Sequence, residues 1–184
     1  MPRIRRRLGL SFDELPHFTT VCHAKEQLYM PNWRGFLDLT SDLQELGEVQ
    51  AIDASGFDRI AASRKYATRT DYTFKAMKTT LLVDCASGTI LDVHCSTKQP
   101  HDTQVAQQLL SRNFDRVETI TADKGYDSDP LRRFLQAHGV EPVIKHREFT
   151  ALNWAQNRLQ DEDVYHQRTA SETGFRVIKQ RFGD

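Results

Sequence analysis

Strand-forming runs alternate with amphipathic helical segments between residues 48 and 147, and this alternation limits the fold more than any other feature. A mostly apolar run at 49–57 comes first, and residues 74–97 follow as two β-rich runs around the turn Ala86-Ser87-Gly88. The next elements are a helix, a strand that runs into a turn, a helix and a strand, at 101–113, 117–129, 130–139 and 140–146. The order β-β-β-α-β-α-β predicts an α/β fold.

Residues 1–47 lack this alternation. Helix-like pieces lie on both sides of a break at Met30-Pro31, which predicts a partial helical N-terminal region and a main domain over 48–184. Four arginines at positions 3, 5, 6 and 7 fit two interpretations equally well, contact with a DNA backbone or a solvated tail.

The composition excludes several classes of protein. No apolar run approaches the roughly 20 residues of a membrane helix, and the first ten residues lack the apolar segment of a signal peptide. The 25 basic and 25 acidic residues cancel, so net charge neither favours nor excludes nucleic acid. Three cysteines without close pairing favour a reducing, cytoplasmic setting and argue against structural zinc.

Residues 164–182 form the clearest predicted helix, whereas residues 148–163 are polar and predicted to be irregular. One face of the helix carries a mostly apolar stripe, made of Val164, Ser171, Phe175, Ile178 and Phe182. A charged sector lies beside that stripe and contains Tyr165, Arg168, Glu172, Arg176 and Lys179. Gly174 costs about 1 kcal/mol in mid-helix, which indicates either a close backbone approach or a tolerated glycine.

Three acids stand out by position, although each has an ordinary explanation when taken alone. Asp53 lies inside an apolar strand, where a charge is costly unless it is paired, binds a metal or caps the following turn. Asp123 ends the fourth strand, where ligands collect, but an Asp that starts a turn needs no ligand. Glu172 belongs to an i, i+4, i+8 ladder with Arg168 and Arg176, which is typical of a solvated helix face.

The joint pattern favours a site. A helix that packs by its apolar stripe would hold its charged sector along the sheet edge, where Glu172 faces Asp53 and Asp123. His101-Asp102 is a further candidate near this site, although Asp102 is at least as plausible as a helix N-cap.

These residues resemble the DDE transposases, whose catalytic domain has an RNase H-like mixed sheet flanked by helices. Tyr165, Arg168, Glu172 and Lys179 match the Tyr-(2)-Arg-(3)-Glu-(6)-Lys signature of insertion-sequence transposases of the IS4/IS5 type, with all three spacings kept. Ala-Ile-Asp-Ala-Ser around Asp53 and Thr-Ala-Asp-Lys-Gly-Tyr-Asp around Asp123 resemble the two Asp blocks of that family.

The resemblance implies a transposase that cuts DNA at insertion-sequence ends and joins the ends to target DNA. Asp53, Asp123 and Glu172 would be catalytic and would hold two Mg²⁺ ions, for which Mn²⁺ can substitute. The expected DNA contacts are Tyr165, Arg168 and Lys179 by resemblance, and Lys124 and Arg176 by position. DNA is the expected partner, a homodimer is implied by resemblance only, and no membrane is expected.

Two other functions stay open at this point. Both ends look short against the family, so the chain fits a truncated non-catalytic remnant that binds DNA or the full-length transposase and interferes with transposition. A stand-alone RNase H-like nuclease is the third interpretation. Metal-dependent nicking of an element end separates the first two, and activity on an RNA–DNA hybrid would indicate the third.

Overall fold

The computed structural model describes residues 16–57 and 76–182, so the arginines at positions 3–7 lie outside the described residues. The chain divides into two compact units, Met1–Phe36 and Leu37–Asp184. The described part of the first unit contains helix α1 (Phe18–Gln27), and helix α2 (Met30–Ser41) runs from the first unit into the second. No helix in the described ranges is both long and apolar enough to cross a membrane.

The second unit is built on a five-stranded mixed sheet with strand order β3-β2-β1-β4-β5. Strands β1, β2 and β3 pair in antiparallel fashion, and β4 and β5 add to the other side of β1 in parallel. Their bounds are Val49–Phe57, Met77–Asp84, Ile90–Ser96, Thr119–Ala122 and Glu141–Ile144. The predicted order of strands and helices over 48–147, and the mixed sheet flanked by helices, are confirmed.

Helices α3 (Asp102–Ser111) and α4 (Asp129–Ala137) enclose the main core. They bury Leu109, Leu131 and Leu135 together with Ile52 and Leu82 of the sheet. Side chains alternate between the faces of a strand, so Leu81 and Val83 point away from Leu82 and form a second cluster on the opposite face. Both faces of β2 are therefore covered, which explains its nearly continuous run of buried residues.

Helix α7 (Thr169–Phe182) covers the second face of the sheet and packs on β1 and β2. Phe175 is buried against Leu81 and Val83, with Ile178 beside it, so the packing face of α7 carries Ser171, Phe175 and Ile178 of the predicted stripe. Asp53 is the cross-strand partner of Leu81, and directly opposed residues point to the same face of a sheet. Asp53 therefore lies on the side of the sheet that α7 covers.

The last helix differs from its prediction, because a turn at residues 167–168 breaks it into two helices. Helix α6 (Glu162–His166) begins at Asp161, whose Oδ1 accepts hydrogen bonds from the backbone N–H groups of Asp163 (2.9 Å) and Val164 (3.1 Å). Arg168 thus lies in the turn that joins α6 to α7, not within a helix. Periodicity alone missed the break, since the spacing of the stripe continues across the turn.

Two further local predictions were wrong. Residues predicted to be irregular contain helix α5 (Ala151–Leu159), which begins at Thr150, whose Oγ1 accepts a hydrogen bond from the N–H of Asn153 at 3.2 Å. The N-terminal break falls at Leu28-Tyr29, and Pro31 lies in the first turn of α2, where its missing N–H costs nothing.

Replacing Gly174 with alanine is expected to stabilise the protein. A Cβ at this position would lie 3.7 Å from Leu81 Cδ1 and 3.7 Å from Val83 Cγ2, which is ordinary van der Waals contact, so α7 approaches β2 without requiring glycine. Alanine removes the helix-interior penalty of glycine, and we expect the free energy of unfolding to rise by about 0.5–1 kcal/mol in urea titrations. Gly174→Val is the control, because its branched side chain must displace β2 and lower stability. A loss of stability in the alanine variant would contradict the packing described here.

Candidate active site

Asp53 is a half-buried carboxylate on the central strand of the sheet. Its Oδ1 accepts a hydrogen bond from the N–H of Ala54 at 2.8 Å, which favours the charged form. Burial disfavours the charged form, and so does repulsion from Asp123, Glu172 and Asp102. These effects outweigh the hydrogen bond, and the pKa of Asp53 rises from 3.8 to about 6. The negative charge of Asp53 is therefore unfavourable in the folded protein without a cation nearby.

Asp123 stands beside Asp53 because β1 and β4 are parallel neighbours. Ala51 pairs with Thr121, and each acid follows its paired residue by two positions. Asp123 begins a single 3₁₀ turn (Lys124–Tyr126), and its Oδ1 accepts the N–H of Gly125 at 2.7 Å. A Cβ at residue 125 would lie 2.7 Å from the same oxygen, so any side chain there would push the carboxylate away. Glycine in the Asp-Lys-Gly sequence thus fixes the carboxylate at the strand end.

Glu172 lies in the first turn of α7, beside the face of the sheet that carries Asp53. One groove of about 380 Å³ brings the two acids together with cationic side chains; its lining is Asp53, Ser55, Glu172, Phe175, Arg176, Lys179 and Gln180. Glu172 Oε1 also forms an ion pair with Arg168 Nη1 at 2.6 Å. This groove brings Glu172 beside Asp53 and does not include Asp123, whose charge reaches the site through its repulsion of Asp53.

The donor chemistry of the three acids fits a hard divalent cation. Carboxylate oxygens are the ligands that Mg²⁺ and Mn²⁺ prefer, and a bound cation would relieve the repulsion that raises the pKa of Asp53. Within residues 16–57 and 76–182, no three His, Cys, Asp or Glu side chains stand close enough together to hold an ion. The ion pair with Arg168 engages Glu172 elsewhere, so ligand binding requires its side chain to turn.

Three of the cationic residues predicted to bind DNA, Lys124, Arg176 and Lys179, lie in two different environments. Arg176 and Lys179 line the groove beside Asp53, and Lys179 Nζ also lies 5.4 Å from the ring centroid of Phe57. Lys124 is on the other side of Asp123, where its Nζ pairs with Glu148 Oε1 at 2.6 Å. Arg176 and Lys179 therefore bring positive charge to the groove, whereas the charge of Lys124 is paired with Glu148.

Tyr165 is a buried anchor in this structure. Its side chain is 7% exposed, and its backbone carbonyl accepts a hydrogen bond from Thr121 Oγ1 of β4 at 3.3 Å. Two cations stack on its ring, Lys145 Nζ at 4.5 Å and the Arg168 guanidinium carbon at 5.2 Å from the centroid. Tyr165 therefore supports Arg168 next to the strand that ends at Asp123.

Two groups near the site, Asp102 and Tyr126, left only weak signals in the sequence. Asp102 is the first residue of α3 and not its N-cap, which is His101; the Asp102 carboxylate pairs with Lys78 Nζ at 2.7 Å and helps to raise the pKa of Asp53. Tyr126 is buried, and its hydroxyl has no hydrogen-bond partner among the residues that the structure describes. Burial and the charges of Asp102, Asp53 and Asp123 raise the pKa of Tyr126 well above 10. Only its place three residues after Asp123 hinted at this position.

A mixed sheet in the order 3-2-1-4-5, with acids on its central strand, on the adjoining parallel strand and on a covering helix, is the arrangement expected of an RNase H-like enzyme that cuts and joins DNA strands. Residues 44–184 match the family model "Transposase DDE domain", and the chain belongs to that family. The family predicted from the sequence is thereby confirmed, and the chain is an enzyme of DNA cleavage and strand transfer. The assignment to the IS4/IS5 type stays a prediction.

Several solved structures are similar to the chain at low sequence identity. They include the catalytic core domain of BIV integrase (9% identity, TM-score 0.44), covering 73% of this chain and 68% of that one. A piggyBac transposase synaptic complex with hairpin DNA (15%, TM-score 0.38) matches over 59% of this chain and 25% of that one. A simian T-cell lymphotropic virus intasome in complex with PP2A regulatory subunit B56 gamma (13% identity, TM-score 0.40) matches over 70% of this chain and 48% of that one. No curated protein matches the chain significantly in sequence.

Proposed function

We propose that the chain cuts DNA at insertion-sequence ends and joins the ends to target DNA, with Asp53, Asp123 and Glu172 as its catalytic carboxylates. Family membership supports the reaction class. The observation that supports the residues most strongly is the raised pKa of Asp53, which reflects burial and the nearby charges of Asp123 and Glu172. Carboxylates that repel one another lower the stability of a fold unless a bound cation neutralises their charge.

The three carboxylates are proposed to hold two Mg²⁺ ions, which Mn²⁺ can replace. Asp53 would contribute to both ions, and Asp123 and Glu172 would each complete one ligand shell. When bound, such a pair of ions activates water or a DNA 3′-hydroxyl and stabilises the leaving oxygen. Asp53 lies on the central strand β1, opposite Leu81 of β2, which holds the proposed shared ligand within the sheet.

The cationic side chains are proposed to hold the DNA strand against the carboxylates. Arg176 and Lys179 line the same groove as Asp53 and Glu172, so a phosphodiester bound there would lie beside the acids. Arginine binds phosphate through two parallel hydrogen bonds, whereas lysine supplies a point charge. Arg168, Lys124 and Tyr165 are proposed to extend the contact along the strand, with Tyr165 acting through the cations stacked on its ring.

The wider organisation is also a proposal. Residues 48–184 would form the catalytic domain and residues 1–47 a partial helical region before it. Transposon-end DNA and target DNA are the proposed partners, and a homodimer would bring paired ends together. The free state of Cys22, Cys85 and Cys95 supports a reducing location, for which we propose the cytoplasm.

Cleavage assays on three duplexes test this function. The first duplex carries the DNA that flanks the coding sequence and so contains the element ends, the second is unrelated DNA, and the third is an RNA–DNA hybrid. We expect Mg²⁺-dependent nicks at the boundary of the first duplex and no nicks after EDTA removes the metal. Cleavage of the hybrid instead would indicate an RNase H-type nuclease. Binding of the first duplex without any cleavage would favour the non-catalytic remnant.

A further inference from the structure

The ion pair between Arg168 and Glu172 engages one of the three proposed metal ligands. Arg168 Nη1 lies 2.6 Å from Glu172 Oε1, and the two side chains are 30% and 54% exposed. Both residues therefore reach the solvent, but Glu172 does so more than Arg168. While the pair is formed, Glu172 Oε1 is held by the guanidinium, and among the residues that the structure describes Glu172 forms no ion-binding cluster with Asp53 and Asp123.

The two partners differ in how firmly they are held. Arg168 lies in the turn between α6 and α7 and stacks on Tyr165, which is buried and bonded to β4 through Thr121. Glu172 extends from the first turn of α7, and its carboxylate forms no other hydrogen bond or ion pair within the described ranges. The arginine is therefore the fixed partner, and the carboxylate is the partner that can turn away.

The guanidinium has donors left for a second ligand. Glu172 takes one N–H of Nη1, and the guanidinium donates to no other acceptor among the described residues, while 30% of the Arg168 side chain stays exposed. A phosphate accepts two parallel N–H bonds from a guanidinium, which is a stronger arrangement than a single-contact ion pair. A DNA phosphate at this turn would therefore compete with Glu172 for Arg168.

We propose that Arg168 is a positioning residue for Glu172, which it holds away from Asp53 until a DNA phosphate takes the guanidinium. This proposal rests on the function proposed above and adds regulation to the same site. Glu172, once released, completes the ligand set with Asp53 and Asp123. Binding of the divalent cation and binding of DNA then strengthen each other by the same factor, because coupling between two ligands is reciprocal.

Titration of the metal alone tests the first half of the proposal. Mn²⁺ binding to the full chain is measured by calorimetry for the wild type, Arg168→Gln, Arg176→Gln and Glu172→Gln. Arg176 is the matched control, because it is also i,i+4 to Glu172 and lines the groove but forms no ion pair within the described part of the chain. Both arginine variants lose one positive charge, so a difference between them isolates the ion pair. We expect Arg168→Gln to bind Mn²⁺ about twofold more tightly than Arg176→Gln, and Glu172→Gln to bind more weakly than the wild type.

A DNA-binding measurement tests the second half. The anisotropy of a short fluorescein-labelled duplex is followed at constant ionic strength, with Ca²⁺ in one series and EDTA in the other. We expect Ca²⁺ to tighten duplex binding by the wild type and by Arg176→Gln, and to have less effect on Arg168→Gln. Neither measurement depends on catalytic turnover.

The outcomes separate this proposal from the proposed function. Equal Mn²⁺ affinities of the two arginine variants, or an equal effect of Ca²⁺ on their duplex binding, would overturn the role of Arg168 and leave the metal site intact. Absence of Mn²⁺ binding to the wild type, or identical binding by Glu172→Gln, would overturn the metal site and the positioning role with it. Thermal melts of each variant confirm that it is folded before its affinity is interpreted.

Discussion

Asp53→Asn is expected to abolish metal-dependent DNA cleavage, by about 10³-fold or more, and at the same time to stabilise the metal-free protein. Asparagine keeps an oxygen that can accept the 2.8 Å hydrogen bond from Ala54 but cannot supply a negative ligand to two cations. It also removes the charge that burial and three neighbouring carboxylates make unfavourable. Loss of activity together with a gain in stability is the pattern of a carboxylate kept for function.

The raised pKa of Asp53 determines how the free energy of unfolding changes with pH. Asp53 has a pKa of about 6 in the folded protein and 3.8 when unperturbed, so the folded state binds more protons between these values. Stability therefore falls as the pH rises through this window, and the full penalty applies above about pH 6. Allowing for solvent screening of a half-buried group, the penalty is about 1–2 kcal/mol.

Urea titrations of the metal-free protein across this window measure the effect. Asp53→Asn should be more stable than the wild type near pH 7.5 by about 1–2 kcal/mol, and the difference should shrink toward about pH 4. Asp115→Asn is the control, because Asp115 is exposed in the loop before β4. A variant that still nicks DNA, or one that is less stable than the wild type at neutral pH, would remove Asp53 from the site.

Asp84→Ala is expected to cost about 3 kcal/mol or more of folding stability, the largest effect outside the site. Asp84 is fully buried at the end of β2. Its Oδ1 accepts hydrogen bonds from Gly47 N (2.9 Å) and Gln50 Nε2 (3.2 Å), and its Oδ2 accepts from Ser87 N (2.8 Å) and Ser87 Oγ (2.7 Å). Alanine would leave these donors without their acceptor at the junction of β1, β2 and the hairpin turn.

The lowered pKa of Asp84 fixes the pH range in which its carboxylate stabilises the protein. Burial alone would raise its pKa, but hydrogen bonds from Ser87, Gly47 and Gln50 outweigh burial and hold the pKa below 3.8. Its contribution is therefore present above pH 3.8 and is lost as the pH falls through the lower folded value. We expect thermal melts at neutral pH to show a midpoint lowered by about 6–12 °C in Asp84→Ala and unchanged in Asp115→Ala. A midpoint within about 2 °C of the wild type would contradict this account.

The parts of the fold that the sequence predicted are those with a hydrophobic period. Strand β1 was predicted at its observed bounds, 49–57, from a mostly apolar run, and Ser55 and Gly56 continue the strand opposite β2 instead of forming a turn. Helix α5 was missed because its one buried residue is Asn157, which is held by hydrogen bonds to the backbone N–H (2.7 Å) and carbonyl (2.9 Å) of His146. Polar burial of this kind leaves no apolar pattern to detect.

The candidate site was predicted from residue types and spacing, and the contacts between those residues were not. Asp53 and Asp123 become neighbours through the parallel pairing of β1 with β4, a register that no local pattern encodes. The pairing of Arg168 with Glu172 follows from i,i+4 spacing, but the sequence did not indicate the turn that fixes the arginine. The electrostatic effect of Asp102 on Asp53 depends on how α3 packs against the sheet.

The proposed site draws its acids from both the sheet and a helix, and these elements differ in the free energy needed to open them. Asp53 lies on a strand bonded on both sides, and exposing the backbone of such a strand requires unfolding of the whole sheet. Glu172 lies on helix α7, which contacts the sheet through a small cluster around Phe175. Helix α7 can detach at a lower free energy than the sheet can open. Of the proposed ligands, Asp53 thus lies on the central strand, whereas Glu172 lies on a segment that local opening can withdraw, so the proposed site can come apart while the domain stays folded.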